Sequence, residues 1–304
     1  MRSIRWSLLV ALCVPVPAGA VSTLQYVTSF TAPPVASPRG IGLLPNGDVI
    51  VGNGFLNSPL VRFTSAGAFV STIGVGTVNA LDGLAVDGAG DIYFADYQAA
   101  PAIEEWSGAG APIRSWGGIG AGPGLFQSAA GVAVDGGGNV YVSDLTNDYV
   151  QVFTGTGAFV RLFGTAGAGV GQFQSPTGVA VDSQGRIFVG DGTRGKVLRF
   201  SPTGAFQIEF SAGVEPEGVA MSPDGNIVVV DASNRVVHKY TPDGTLLSAT
   251  NGFLSLPYRV ACDAAGYIYV TDEGFNSIVK FRDAAVTAVQ RTTFGRVLNL
   301  YRTP

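Results

Sequence analysis

Short apolar runs separated by polar turn residues recur along almost the whole chain. In the stretch 175–210, four such runs (178–181, 186–189, 196–200 and 205–210) alternate with turns rich in Gly, Ser, Pro and Asp. Runs of about five residues bounded by such turns are typical of β-strands. Four runs in succession therefore predict one four-stranded antiparallel meander.

This unit occurs six times in a fixed register, and the copies are called repeats 1 to 6. The first strand of each repeat opens with a glycine, which an arginine replaces in repeat 6: Gly40, Gly83, Gly131, Gly178, Gly218 and Arg259. A second glycine follows seven residues later: Gly47, Gly90, Gly138, Gly185, Gly225 and Gly266. Six residues on stands an Asp or Asn: Asn53, Asp96, Asp144, Asp191, Asp231 and Asp272. An aromatic residue comes nine or ten residues after that: Phe63, Trp106, Phe153, Phe200, Tyr240 and Phe281. A constant period of this size indicates a repeat architecture.

The positions in this register have simple physical explanations. The second glycine permits the positive φ of a tight hairpin, and the aromatic residue is large enough to fill the space between neighbouring sheets. A single four-stranded sheet leaves both of its faces without a core. Six sheets arranged radially bury each other's faces, so the sequence predicts an all-β, six-bladed β-propeller.

A seventh apolar segment precedes repeat 1. Residues 26–30 align with the fourth strands of repeats 1 and 3, at 69–73 and 159–163, whereas the fourth-strand position of repeat 6 has a poorer match at 283–291. We therefore expect the N-terminal strand to complete repeat 6 and close the ring, which removes an exposed sheet edge. The propeller domain would span residues 21–283. The alternative is that segment 284–293 closes the ring.

The two ends of the chain have a different character. Arg2 and Arg5 precede an apolar stretch that ends at Ala18-Gly19-Ala20, which is the pattern of a signal peptide over residues 1–20. This apolar stretch is too short to span a bilayer. The expected location is therefore periplasmic or secreted. Residues 284–304 are expected to form a short amphipathic helix or an unstructured tail.

Composition narrows the classes of function. Without Arg2 and Arg5, 16 basic residues face 22 acidic ones, a net charge of −6. This balance and the absence of a basic cluster argue against nucleic-acid binding. Beyond the predicted signal peptide only Cys262 remains, so no intramolecular disulfide is expected and stability must come from burial of a core.

A resemblance to a known family rests on residues 163–182. They read FGTAGAGVGQFQSPTGVAVD, and a similar string runs from Trp116 to Phe126. The pattern resembles the NHL repeat, and the resemblance extends over roughly residues 24–283. It implies a six-bladed propeller, in agreement with the repeat count. Some propeller lyases that resemble NHL proteins use clustered histidines around a metal, but this chain has only His238.

The residues that could bind a metal or take part in catalysis predict neither a metal site nor a cofactor. The row of five aspartates and Asn53 is explained by strand ends whose carboxylates accept hydrogen bonds from the following turn. His238 lies in a third strand without an evident partner, and metal or acid–base schemes built on histidine need one. No catalytic residue is therefore assigned.

The candidate binding residues are those that break the repeat just before or at its first position. They are Arg39, Asp82, Glu217, Tyr258 and Arg259. First strands start, and second strands end, at one mouth of the central channel, so these residues should meet there. Arg39 and Arg259 would lie on neighbouring blades and are expected to converge on an anionic group of a partner.

Two classes of function remain open. The first is an exported, non-catalytic, monomeric binding module that recognises a protein, peptide or glycan with the channel-mouth face. The alternative is a propeller hydrolase or lyase similar to the gluconolactonase and strictosidine-synthase relatives. Residues 217–225 (EGVAMSPDG) resemble the strand-turn pattern of those relatives, but a full set of metal ligands cannot be mapped. We favour the binding module.

Overall fold

All the regular elements of the described chain are β-strands. The computed structural model describes residues 21–283, except 56, 75–77, 79, 97–99, 101 and 251. The expected signal peptide and C-terminal tail lie outside the described residues. In the described part, no helix is long and apolar enough to cross a membrane.

The strands follow the predicted runs closely. Their bounds are Ser22–Phe30 (β1), Pro38–Leu43 (β2), Val49–Asn53 (β3), Leu60–Phe63 (β4), Phe69–Ile73 (β5), Leu81–Val86 (β6), Ile92–Asp96 (β7), Ile103–Trp106 (β8), Pro112–Trp116 (β9), Gly118–Ile119 (β10), Leu125–Phe126 (β11), Ala129–Val134 (β12), Val140–Asp144 (β13), Tyr149–Phe153 (β14), Phe159–Phe163 (β15), Pro176–Val181 (β16), Ile187–Asp191 (β17), Lys196–Phe200 (β18), Phe206–Ser211 (β19), Pro216–Met221 (β20), Ile227–Asp231 (β21), Val236–Tyr240 (β22), Leu246–Ala249 (β23), Pro257–Cys262 (β24), Tyr267–Asp272 (β25) and Ser277–Asp283 (β26).

The strands pair as antiparallel meanders around a common axis. Repeats 1 to 4 each form a separate four-stranded sheet, β2–β5, β6–β9, β12–β15 and β16–β19. The first strand of each repeat contacts the first strand of the next, and β24 in turn contacts β2. The first strands thus surround a central channel, and the fold is a β-propeller.

Repeats 5 and 6 belong to one eight-stranded sheet, with the order β20-β21-β22-β23-β1-β26-β25-β24. Strand β1 runs antiparallel to β26, from Leu24 opposite Asp283 to Phe30 opposite Ile278. At its start it also runs parallel to β23, where Ser22 lies opposite Ser248. The N-terminal strand therefore occupies the fourth-strand position of repeat 6 and touches repeat 5 as well.

The two sets of register glycines have different roles. Those of the first hairpins have positive φ, from 75° at Gly185 to 93° at Gly90, which confirms the turn prediction. The glycines that open the first strands are needed for close approach instead. A Cβ on Gly83 would lie 2.1 Å from the Ala130 carbonyl oxygen, and one on Gly131 would lie 2.3 Å from that of Thr177.

The register aromatics fill the space between neighbouring sheets, as predicted. Phe153 and Phe200 are almost fully buried, at 1% and 2% exposure. The ring of Phe200, in repeat 4, packs against Phe163 and Phe173 from the end of repeat 3, with centroid distances of 4.9 and 5.5 Å. Because each such residue seals one junction, the core runs continuously through these parts of the ring.

Candidate functional site

The five predicted binding residues come together at one end of the channel. Arg39, Asp82, Glu217 and Tyr258 are each the second residue of a first strand, β2, β6, β20 and β24, and Arg259 follows Tyr258. First strands surround the axis and begin at the same end. Residues at this one position therefore point to a common place although they are far apart in sequence.

Arg259 is the centre of this cluster. Its Nη2 donates a hydrogen bond to Asp82 Oδ1 at 2.5 Å, and its Nη1 donates to the Glu217 backbone carbonyl. The Glu217 carboxylate lies 3.7 Å from Nη1. Burial alone would lower the pKa of Arg259, but Asp82, Tyr258 and Glu217 outweigh that effect and raise it. Arg259 thus stays charged and joins repeats 2, 5 and 6.

Tyr258 lies between the two arginines. The guanidinium carbons of Arg39 and Arg259 are 5.0 and 4.8 Å from its ring centroid, which is cation–π geometry. Its hydroxyl donates to Asp82 Oδ2 at 3.3 Å. Burial and the Asp82 carboxylate raise the pKa of Tyr258. The phenol therefore remains a neutral hydrogen-bond donor.

The remaining arginine is also paired within the chain. Arg39 Nε donates to Glu273 Oε1 at 2.6 Å, and Glu273 follows the register residue Asp272 directly. The two arginines converge as expected, but the carboxylates that they contact belong to the protein itself. Sequence reasoning missed Glu273. The available signal was a charged residue directly after the register aspartate, where the other repeats have uncharged residues.

Glu217 has the most strongly shifted carboxyl group of the cluster. Burial raises its pKa to about 7, with Asp82 and Glu215 acting in the same direction and Arg259 in the opposite one. A carboxyl group with this pKa exchanges a proton near neutral pH. It is the one group of the cluster that is suited to proton transfer at that pH.

Two sets of loops surround the cluster and are together called the mouth face. One set precedes the first strands and the other follows the second strands. Backbone hydrogen bonds join the two sets, for example from Gly54 N to Ser37 O, from Leu145 N to Ser128 O and from Glu273 N to Leu256 O, all 2.9 Å long. The predicted grouping of these loops at one end is thus confirmed.

Large apolar side chains stand exposed on these loops. Phe55 is 57% exposed and Phe275 is 59% exposed, and the others on this face are Ile119, Leu125, Val170, Val214, Phe253 and Leu256. They come from six different loops, so they are distributed over the mouth face. Their exposure could not be predicted from the sequence, because apolar residues inside Gly-rich loops carry no periodic signal.

Below the cluster the channel is lined by apolar side chains and by the backbone of the first strands. It holds a cavity of about 280 Å³ lined by the first strands, with Arg259 at its edge and Cys262 on its wall. Burial raises the pKa of the Cys262 thiol to about 12, so the thiol is protonated and unreactive. Apart from Arg259, no charged side chain lines this cavity in the described part of the chain.

The aspartate row has a structural role, as predicted. Asp144 Oδ1 accepts the predicted hydrogen bond from the following turn, from Asn147 N at 3.1 Å. The same carboxylate also accepts from Gln127 N at 2.9 Å and from Ser128 N at 3.1 Å, both in the loop before the first strand. Asp272 binds Ser255 N and Leu256 N in the same way. Among the described residues, no group of three or more His, Cys, Asp or Glu side chains is arranged to hold a metal ion.

Comparisons with known proteins support the propeller fold. Residues 125–239 match the family DUF5128, described as a 6-bladed beta-propeller. No curated protein matches the chain. Among solved structures, the chain is similar to virginiamycin B lyase from Staphylococcus aureus, with 14% identity, a TM-score of 0.61, and coverage of 86% of this chain and 99% of that chain.

Two further structures show the same fold in proteins of other kinds. A gluconolactonase from Xanthomonas campestris is 16% identical with a TM-score of 0.65, covering 82% of this chain and 86% of that chain. The WD40 beta propeller domain of Doa1 is 12% identical with a TM-score of 0.62, covering 87% of this chain and 99% of that chain. Identities this low establish the fold alone, because one fold carries many functions.

Proposed function

We propose that this protein is an exported, non-catalytic binding module, a six-bladed propeller of the NHL type closed by β1. It acts as a monomer and recognises a protein or peptide, or a glycan, with its mouth face. The observation that carries this proposal is the set of exposed apolar side chains around the mouth, represented by Phe55 and Phe275. Several large apolar side chains exposed on one face are typical of interaction sites.

The charged cluster supports a binding role over a catalytic one. Arg259 is engaged by Asp82 and Glu217, and Arg39 by Glu273. These groups hold the mouth in one shape. A preformed surface loses little conformational entropy when a partner docks. The five candidate residues thus form the rigid floor of the binding surface, and the exposed apolar residues form its rim.

The test compares two double variants that each replace two exposed apolar side chains. Phe55→Ser with Phe275→Ser removes two rim residues, and Val70→Ser with Val160→Ser removes two exposed residues from the outer strands β5 and β15. Each protein is used as bait for the exported fraction, and captured partners are quantified. We expect capture to be lost only with the rim variant, at unchanged melting temperature. Equal capture by both variants would refute the mouth face as the binding surface.

A second candidate function, a hydrolase or lyase, is favoured by one observation. Glu217 lies at the channel mouth with a pKa raised to about 7 by burial, and carboxyl groups of this kind are common in active sites. Lactone hydrolysis by the purified protein that disappears in Glu217→Gln, while the variant keeps its fold, would favour the enzyme. Equal, background-level rates in both proteins would favour the binding module.

A further inference from the structure

The mouth face carries many more negative than positive groups. Its loops and the aspartate row together contain ten carboxylates and four guanidinium groups. The carboxylates are those of Asp82, Asp96, Asp144, Asp148, Asp191, Glu215, Glu217, Asp231, Asp272 and Glu273. The guanidinium groups are those of Arg39, Arg194, Arg235 and Arg259. Five of the carboxylates are the buried row and Asp82 is buried as well, whereas the other four are partly exposed.

Most of the positive groups are already neutralised. Arg259 pairs with Asp82, Arg39 pairs with Glu273, and Arg194 Nη2 lies 2.9 Å from the Glu209 carboxylate. A guanidinium held by a carboxylate of its own chain offers little to an anion from outside. The accessible field of this face is therefore set by its surplus of carboxylates.

Neighbouring carboxylates raise one another's pKa, as expected where negative charges are in surplus. Burial raises the pKa of Asp148, and Asp191 and Asp144 raise it further. Burial also raises the pKa of Glu217, and Asp82 and Glu215 act in the same direction. These interactions arise in two different repeats, 3 and 5. The negative potential is thus not confined to one loop.

We propose that the partner docks on the mouth face with a cationic segment, in which Lys or Arg side chains alternate with apolar ones. The apolar side chains would pack on the exposed rim, and the cationic groups would approach the surplus carboxylates, Glu215 among them. Opposite charges across an interface steer association and disfavour the wrong partners. This inference rests on the proposed binding function, and it reverses the charge expected from the sequence, where two arginines suggested an anionic partner.

The experiment uses three capped peptides of equal length, in which leucines alternate with Lys, Gln or Glu. Each labelled peptide is titrated against the full-length protein at low and at raised salt. We expect the Lys peptide to bind about tenfold tighter than the Gln peptide at low salt and the Glu peptide to bind weakest. The preference should shrink at high salt because exposed charges are screened.

Two charge reversals locate the effect. Glu215→Lys changes the mouth face, and Asp243→Lys makes the same change of charge in an exposed hairpin turn at the opposite end of repeat 5. We expect Glu215→Lys to weaken the Lys peptide about three- to tenfold and Asp243→Lys to leave its affinity nearly unchanged. Equal weakening by both would overturn the inference, since the peptide would then respond only to total charge.

The rim variant separates failure of this inference from failure of the proposed function. If all three peptides bind alike and Phe55→Ser with Phe275→Ser abolishes binding, the mouth face remains the binding surface and the cationic preference is wrong. If the Lys peptide binds the rim variant as tightly as the unchanged protein, both the inference and the proposed surface fail. Absence of binding by the Lys peptide also overturns the inference.

Discussion

The junctions between neighbouring repeats are built differently on two sides of the ring. Between repeats 3 and 4 the first strands touch through glycine, and single hydroxyl bonds support them. There, Ser143 Oγ donates to the Thr177 carbonyl at 2.5 Å. Around repeats 5, 6 and 1, strand β1 pairs with both neighbours, and the ion pairs of Arg39 and Arg259 cross between repeats.

The difference shows which junctions are held by the close packing of a regular repeat and which have additional contacts. Where consecutive repeats follow each other along the chain, close packing at Gly131 and Gly178 is enough to hold them together. Repeats 5 and 6 have an additional connection, because β1 pairs with a strand of each. Ion pairs add to the contacts of repeat 6, since Arg259 reaches repeat 2 and Glu273 pairs with Arg39 of repeat 1. These two arginines also belong to the charged cluster at the mouth.

The largest expected effect comes from removing the strand that joins repeats 5 and 6. Deletion of residues 21–31 exposes the edges of β23 and β26. We expect aggregation or a loss of cooperative unfolding, because many hydrogen bonds are lost at once and an open edge is a template for pairing. Calorimetry measures the cooperativity of unfolding, and sedimentation measures aggregation. A truncated protein that melts as sharply and as high as the full chain would contradict the joining role of β1.

Breaking the central ion pair should have the next largest effect. Arg259→Met leaves the Asp82 carboxylate, which is 4% exposed, without its partner, and we expect a loss of about 3–5 kcal/mol in the free energy of unfolding. Arg62→Met is the matched control, since the Arg62–Asp48 pair is partly exposed and should contribute less than about 1 kcal/mol. Urea titration of both variants measures these losses in the free energy of unfolding. Similar losses would show that the buried pair is not special.

A methyl group placed at the tight junction tests the other side of the ring. In Gly131→Ala the new Cβ would meet the Thr177 carbonyl oxygen at 2.3 Å. We expect a loss of about 3 kcal/mol, the upper end for overpacking, because the obstacle is backbone. Gly88→Ala is the control, since nothing lies within 4 Å of its Cβ position. If both variants unfold at the same urea concentration, close approach is not what requires glycine here.

The smallest expected effect is on the pH dependence of stability. Burial raises the pKa of Glu217 from 4.5 to about 7, so the folded protein binds more protons there than the unfolded chain does. Stability therefore falls as pH rises from about 5 to 7, by about 2 kcal/mol from this group. In Glu217→Gln this part of the pH dependence should disappear. Parallel stability–pH curves for the two proteins would show that Glu217 titrates normally.

The sequence was informative about the fold because each register position reports a local requirement. The left-handed turn requires a glycine at Gly185, and the space between two sheets requires a large side chain at Phe200. Both requirements arise within one repeat and its neighbour. The match of residues 26–30 to fourth strands likewise pointed to the position that β1 occupies opposite β26. No long-range information was needed beyond the alignment of the copies.

The site was only partly predictable. Departures from the repeat identified Arg39, Asp82, Glu217, Tyr258 and Arg259 as residues that meet at the mouth. They could not show that Arg259 reaches Asp82, two repeats further around the ring, because a register position says nothing about where a long side chain ends. The exposure of Phe275 was also hidden, since an apolar residue in a loop gives the same sequence signal whether buried or exposed.

The position of β1 also determines when the protein can finish folding during its synthesis. Phe30 at the end of β1 lies opposite Ile278 of β26, so about 250 residues must be made between the two partners. At about 5–20 residues per second, the first strand waits roughly 12–50 seconds for its partner. Until β23 has been made, the first strand has no partner in a sheet. Pairing of β1 with β26 is therefore the last strand pairing that becomes possible, and any factor that shields exposed strands must act on the N-terminal segment until its partners have been made.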